Sequence, residues 1–182
     1  MKPFSVIESR LIPLDRAHVD TDQIIPKQFL KTIGRTGLGR GLFFNWRQQP
    51  DFVLNRPDLA GAQILVAEQD FGCGSSREHA TWALLDFGIH CVIAPSFGDI
   101  FFNNACKNGL LPVRLPSATV RRLLAVERLR VDLQSQTITG AGEPIPFAMD
   151  SYRRQCLLQG LDDIALTLQH VADIQAYELA HA

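Results

Sequence analysis

Apolar positions along this chain come in short blocks, and their spacing switches repeatedly between that of a strand and that of a helix. Val6 to Leu14 reads as a first strand. Asp20 to Pro26 (Asp20-Thr21-Asp22-Gln23-Ile24-Ile25-Pro26) follows as a turn with alternating polar groups. Lys31 to Leu42 holds four glycines and three basic residues, a density that favours a mobile loop over a fixed element. Asn45 to Pro57 reads as irregular or briefly helical. Gln63 to Ala67 predicts a buried strand, and Ser76 to Phe87 a helix with Ala80, Ala83, Leu84 and Phe87 on one face. Gly88 supplies a stop, and His90 to Ala94 is the next strand. Gln63 to Ala94 is therefore a β-α-β unit with parallel strands.

Beyond it the pattern predicts a helix over Gly98 to Lys107, closed by Asn108-Gly109, and a strand over Leu111 to Leu115. A helix follows over Thr119 to Glu127. Leu129 to Gln134 and Gln136 to Thr139 alternate at period two and read as an antiparallel pair. Pro144 to Phe147 adds a short strand. Ser151 to Gly160 and Asp163 to Ala180 read as helices joined at Leu161-Asp162. The expected architecture is one mixed α/β domain, residues 1–182, with a helical tail from about residue 151.

Composition narrows the function classes. Hydrophobic residues make up 46% and charged residues 20% of 182, the range of soluble globular proteins. A net charge of −1 gives no electrostatic footprint for nucleic acid or an anionic membrane. No apolar run approaches the roughly 18–20 residues that span a bilayer. Met1 to Ser5 lacks the apolar stretch of a signal peptide, so a cytoplasmic location is expected. The four cysteines, Cys73, Cys91, Cys106 and Cys156, form no Cys-x-x-Cys pair. Metal-site spacing is thus missing, and no metal is expected on this chain.

The chemistry concentrates in Asp70-Phe71-Gly72-Cys73-Gly74-Ser75-Ser76-Arg77-Glu78-His79-Ala80. A glycine-rich loop that leaves a strand and enters a helix is an anion site, because the first helical N–H groups lack partners and the dipole is positive there. The backbone of Gly72, Cys73 and Gly74 would form that loop. Ser75-x-x-Glu78 has capping-box spacing, which gives Ser75 a structural role beside a chemical one. Ser76 reads as first-turn helix. Arg77 sits where the helix dipole prefers an acid, and such a broken local rule marks either function or a salt bridge to Glu78 or another nearby acid. His79 reads as structural. Cys73 reads as a passive small residue, since no histidine is placed to activate it. The loop is neither a P-loop nor a nucleophile elbow. Asp20 and Asp22 read as turn formers or N-caps, and Phe97, Ile100, Phe101 and Phe102 as core.

Phe71 to Ala80 resembles the signature of the small swivelling domain of the aconitase superfamily. Ala94 to Asn104, Asn108 to Pro112 and Asp20 to Pro26 look like its other motifs. Thr36 to Arg47 and the tail Leu161 to His170 are similar to the bacterial small subunits of 3-isopropylmalate dehydratase. The resemblance covers essentially the whole chain. It implies a swivelling β/β/α fold, with strands facing strands and helices on one side. It implies interconversion of 2- and 3-isopropylmalate by dehydration and rehydration in leucine biosynthesis. The partner would be a large subunit that bears a 4Fe–4S cluster as Lewis acid, and this chain would be inactive alone.

In that family Ser75 matches the catalytic base, Ser76 and Arg77 substrate contacts, and Asp22 an acidic residue lining the site. A further substrate-binding arginine matches Arg35. Phe29, Leu30, Lys31 and Thr32 match the segment that approaches the group distinguishing substrates, and an apolar Phe29 and Leu30 agree with an isopropyl group. The rival readings are a small subunit acting on homoaconitate or 2-methylmalate, and an anion-binding module without turnover. The charge of −1 disfavours an RNA-binding role.

Overall fold

One strand belongs to both halves of the sheet, and its sequence explains how. In the computed structural model, which describes residues 1–31, 34–75 and 77–181, β1 (Val6–Leu14) pairs through residues 6–10 with antiparallel β5 (Arg128–Asp132). Through residues 11–14 it pairs with parallel β2 (Ile64–Ala67). Pro13, which has no N–H to donate, falls beyond the last β5 partner, where β1 is bonded as a strand on one side only. Glu8 and Arg10 face outward, whereas Ile12 and Leu14, of the same parity, are buried under a helical layer.

β3 (Cys91–Ala94) and β4 (Leu111–Arg114) extend the parallel half, and β6 (Thr137–Thr139) and β7 (Ile145–Pro146) the antiparallel half. The seven strands run in the order β4-β3-β2-β1-β5-β6-β7. Alternate residues of the parallel strands serve two cores. Ile64, Val66, Cys91, Ile93, Leu111 and Val113 join Leu129, Val131 and Ile138 of the antiparallel half. Leu65, Ala67, Val92 and Ala94 join Ala80, Ala83 and Leu84 of α2 (Glu78–Phe87) and Phe101 and Ala105 of α3 (Asp99–Asn108). This is the expected α/β architecture: strands meet strands across the first core and α2 and α3 cover the second, while Val120, Leu123 and Leu157 bring helical residues into the first as well. Each Val, Leu, Ile or Phe side chain so buried contributes about 1.5–3 kcal/mol against the entropy of folding.

Most predicted elements match, and the differences have local causes. Asp20 to Pro26 is not a bare turn: it contains a one-turn helix, α1 (Thr21–Ile24), closed by a capping box in which Asp20 and Gln23 exchange hydrogen bonds of 2.7 and 2.9 Å. The second half of the Lys31–Leu42 segment is not a free loop. Leu38 and Leu42 are buried, and Gly39 lies so close to Phe87 that a Cβ would meet its backbone N at 2.9 Å. Glycine there permits contact, not only motion. Ile100, expected in the core, is half exposed because α3 turns that position outward.

The predicted tail helix divides into α6 (Asp163–Leu168) and α7 (Val171–His181) after α4 (Ser117–Leu123) and α5 (Ser151–Gln159). Neither Gln169 nor His170 breaks a helix on propensity, so the periodic reading runs through them. Neither α6 nor α7 contains a buried residue. No helix among the described residues is long and apolar enough to cross a membrane.

The helical layer meets the loop after β2 at one tight point. Gly72 has φ +74°, and a Cβ there would lie 2.2 Å from the Phe101 ring. Gly72→Ala is therefore expected to destabilise the protein by roughly 1–3 kcal/mol through backbone strain and overpacking. Urea unfolding measures this. A loss below about 0.5 kcal/mol would mean that α3 yields freely under the loop.

Candidate active site

The site stands at the carboxyl ends of β1, β2 and β3, where open α/β sheets place ligands. The chain leaving β2 is held from both sides by main-chain hydrogen bonds. On one side Gly72 N donates to Val19 O at 2.7 Å and Thr21 N to Cys73 O at 3.0 Å, both from the segment after β1. On the other side Phe71 N donates to Ser96 O at 3.1 Å and Gly98 N to Phe71 O at 3.0 Å, from the segment after β3. The Ser96 hydroxyl accepts from Asp70 N at 2.8 Å. Beneath, Phe71 is fully buried with its ring centroid 5.3 Å from that of Phe101. The loop that carries the candidate chemistry is thus fixed to two neighbouring strand exits rather than hung on its own glycines.

This arrangement revises the capping reading of Ser75. The N-cap of α2 is Arg77, and Ser75 lies two residues outside the helix. Glu78 is turned away from any capping box: its Oε1 accepts from Asn108 Nδ2 at 2.8 Å, and the Asn108 amide oxygen accepts from Trp82 Nε1 at 2.9 Å. Ser75 is exposed. Its carbonyl accepts a 2.8 Å hydrogen bond from the buried Thr21 hydroxyl.

Arg77 and Asp22 form a hydrogen-bonded ion pair. Arg77 is the more sheltered partner, with its side chain 20% exposed against 55% for Asp22. The acid that compensates Arg77 at a helix start is therefore Asp22, brought from 55 residues away in sequence, while Glu78 serves another network. Asp20 is an N-cap, as its type predicts. Cys73 is a free, half-buried thiol whose pKa is raised by desolvation first, and then by the carboxylates Asp70 and Asp20. It lacks the electropositive setting of a reactive cysteine, in keeping with its passive reading. Burial likewise drives the Cys91 thiol up, and pushes that of Cys106 up to about 12.

Ser75, Arg77, Asp22 and the Gly72-Cys73-Gly74 backbone therefore come together. Other predicted residues stand apart. Arg35 lies with its guanidinium 5.2 Å from the Trp82 ring centroid, beside a cavity of about 290 Å³ that Lys2, Asp86 and His90 also line. Phe29 packs its ring on Gly41, edge-on to Phe44 at 5.1 Å, and Leu30 rests on the same core. Phe29 also lines a cavity of about 490 Å³ with Lys31, Leu38 and Arg40. Ser76 and Thr32 lie outside the described residues. No group of three or more His, Cys, Asp and Glu side chains among the described residues is arranged to hold a metal ion.

Sequence reading overlooks Thr21 as part of this site. The available signal is the spacing Asp20-x-x-Gln23, which marks a one-turn helix and so fixes where Thr21 and Asp22 point.

Comparison with known proteins bears on family and fold. Residues 1–118 match the aconitase C-terminal domain, and residues 163–182 match the C-terminal domain of the 3-isopropylmalate dehydratase small subunit. The 3-isopropylmalate dehydratase small subunit of Magnetococcus marinus is 54% identical, with 100% of this chain and 95% of that protein covered. That of Acidobacterium capsulatum is also 54% identical, with 100% and 91% covered. The crystal structure of 3-isopropylmalate dehydratase from Methanocaldococcus jannaschii superposes with a TM-score of 0.71 at 26% identity, covering 95% of this chain and 99% of that one. A loop pinned between two strand exits, on a sheet of this order, in a chain alike from end to end, places the protein in the family of 3-isopropylmalate dehydratase small subunits.

Proposed function

We propose that this chain, as a single swivelling domain, supplies the base and a carboxylate anchor to a two-subunit cytoplasmic hydro-lyase. That enzyme would interconvert 2- and 3-isopropylmalate in leucine biosynthesis. The observation that carries this reading is the juxtaposition of an exposed Ser75, held at its carbonyl by Thr21, with the Asp22–Arg77 pair. Dehydration of a hydroxy-dicarboxylic acid needs a proton removed from carbon, a hydroxyl expelled from the neighbouring carbon, and the carboxylates held still. Ser75, as alkoxide, takes the proton and becomes a neutral hydroxyl. On rehydration it returns the proton to carbon.

Arg77 offers a planar fork that matches a carboxylate in bidentate geometry. In this state one arm of that fork, Nη1, donates to the Asp22 carboxylate, which a substrate carboxylate would displace. The expelled hydroxyl calls for a Lewis acid, which a 4Fe–4S cluster on the large subunit would supply. The described residues of this chain do not fit such a cluster. Phe29, Leu30, Lys31 and Thr32 would face the isopropyl group, and Ser76 and Arg35 would add substrate contacts once the two chains close. Phe29 beside Lys31 and Arg40 in one cavity supports an apolar wall with anion-attracting neighbours.

Two substitutions test this reading in the assembled enzyme, assayed on isopropylmalate and other 2-hydroxy acids. Ser75 caps no helix and is exposed, so Ser75→Ala is expected to change stability by less than about 0.5 kcal/mol and to lower turnover by roughly a hundredfold or more. Near-normal turnover would remove Ser75 from the chemistry. Arg77→Lys keeps the charge and loses the fork. It is expected to raise KM by about tenfold or more, in line with the loss of a charge-assisted hydrogen bond. Unchanged kinetics would reduce the Asp22–Arg77 pair to a structural contact.

A further inference from the structure

We infer that Thr21 is a positioning residue for Ser75, holding the serine's peptide through a side-chain hydrogen bond from the one-turn helix α1. This rests on the reading of Ser75 as the base. Ser75 lies two residues outside α2 and follows Gly72 and Gly74, both in the left-handed region. Neither glycine has a side chain with which to staple the loop. The main-chain bonds from the segment after β1 reach Gly72 N and Cys73 O, and stop there on the way to Ser75. The next hold is the Thr21 hydroxyl, which donates to the Ser75 carbonyl at 2.8 Å.

Thr21 is built to hold a fixed direction. It is 2% exposed, its β-branched side chain is stiff at χ1, and it opens a helix closed by the Asp20–Gln23 capping box. Its own N–H donates to Cys73 O at 3.0 Å, and its carbonyl accepts from Ile25 N at 3.0 Å. All three of its polar groups are engaged, two of them with the active-site loop. The adjacent residue, Asp22, pairs with Arg77. One turn of helix thereby holds the Ser75 carbonyl through Thr21 and the Arg77 side chain through Asp22. Small displacements of a reacting group cost rate steeply, so a bond that fixes the Ser75 peptide acts on catalysis more than on substrate affinity.

The experiment uses the assembled two-subunit enzyme. Thr21→Val exchanges the hydroxyl for a methyl and keeps the shape. Thr21→Ser keeps the hydroxyl and drops the methyl. Thr21→Ala, compared with Thr21→Ser, isolates the hydroxyl a second time should the valine variant not fold. Expected are a fall in kcat of roughly ten- to a hundredfold for Thr21→Val with KM within about threefold, and kcat for Thr21→Ser within about threefold of the parent. In a Ser75→Ala background, Thr21→Val should lower the residual rate no further, since a positioning residue has nothing left to position. Unchanged kcat in Thr21→Val, or equal losses in Thr21→Ser and Thr21→Ala, would overturn the inference. Full additivity with Ser75→Ala would overturn it too. Near-normal turnover in Ser75→Ala alone would instead overturn the reading of Ser75 as the base, so the two failures are distinguishable.

Discussion

The structure depends on one constraint: the loop after β2 is clamped between the chain leaving β1 and the chain leaving β3. Backbone hydrogen bonds from both flanks meet at Phe71 to Cys73. Gly72 makes the clamp possible, because any side chain there would strike Phe101, and Gly98 lets the third strand exit approach within a Cβ's reach of the Gly72 carbonyl. Loops tolerate motion, but a catalytic group needs direction. A glycine-rich segment gains direction when its backbone bonds to its neighbours, as Phe71, Gly72 and Cys73 do here.

The same clamp explains how charge is handled. Arg77 at the entry to α2 opposes the helix dipole, a cost of a few tenths to about 1 kcal/mol. The fold meets it with Asp22 from α1 rather than with the adjacent Glu78, which is committed to Asn108 and through it to Trp82. An exposed carboxylate on a more sheltered guanidinium is a contact that a substrate carboxylate can replace, since exposed ion pairs are worth little. The loop after β2 and α1 are therefore joined, with Thr21 and Asp22 of α1 bonded to the Ser75 carbonyl and the Arg77 side chain.

Much of this is legible in the chain. Strand periods locate β1 to β6 within a few residues, and Gly88, Gly109 and Gly160 end helices as left-handed caps. The serine-serine-arginine loop marks the candidate site. The capping box is harder, because spacing alone fits both Ser75–Glu78 and Asp20–Gln23. Tertiary contacts decide between them: Glu78 finds Asn108, while Asp20 sits beside Gln23 at the exit of β1. The ion pair of Arg77 with Asp22 and the Thr21 bond are hidden for the same reason, each joining residues more than fifty positions apart. Ile100 escapes the pattern because helical spacing fixes an apolar face but not its width.

The most direct test of the account is the structure of the assembled enzyme with isopropylmalate bound. It should contain Arg77 turned from Asp22 to a substrate carboxylate, the Thr21 hydroxyl still bonded to the Ser75 carbonyl, and Ser75 Oγ within about 3.5 Å of the carbon that gives up its proton. Arg77 still paired with Asp22, and Ser75 Oγ turned away from the substrate, would contradict it.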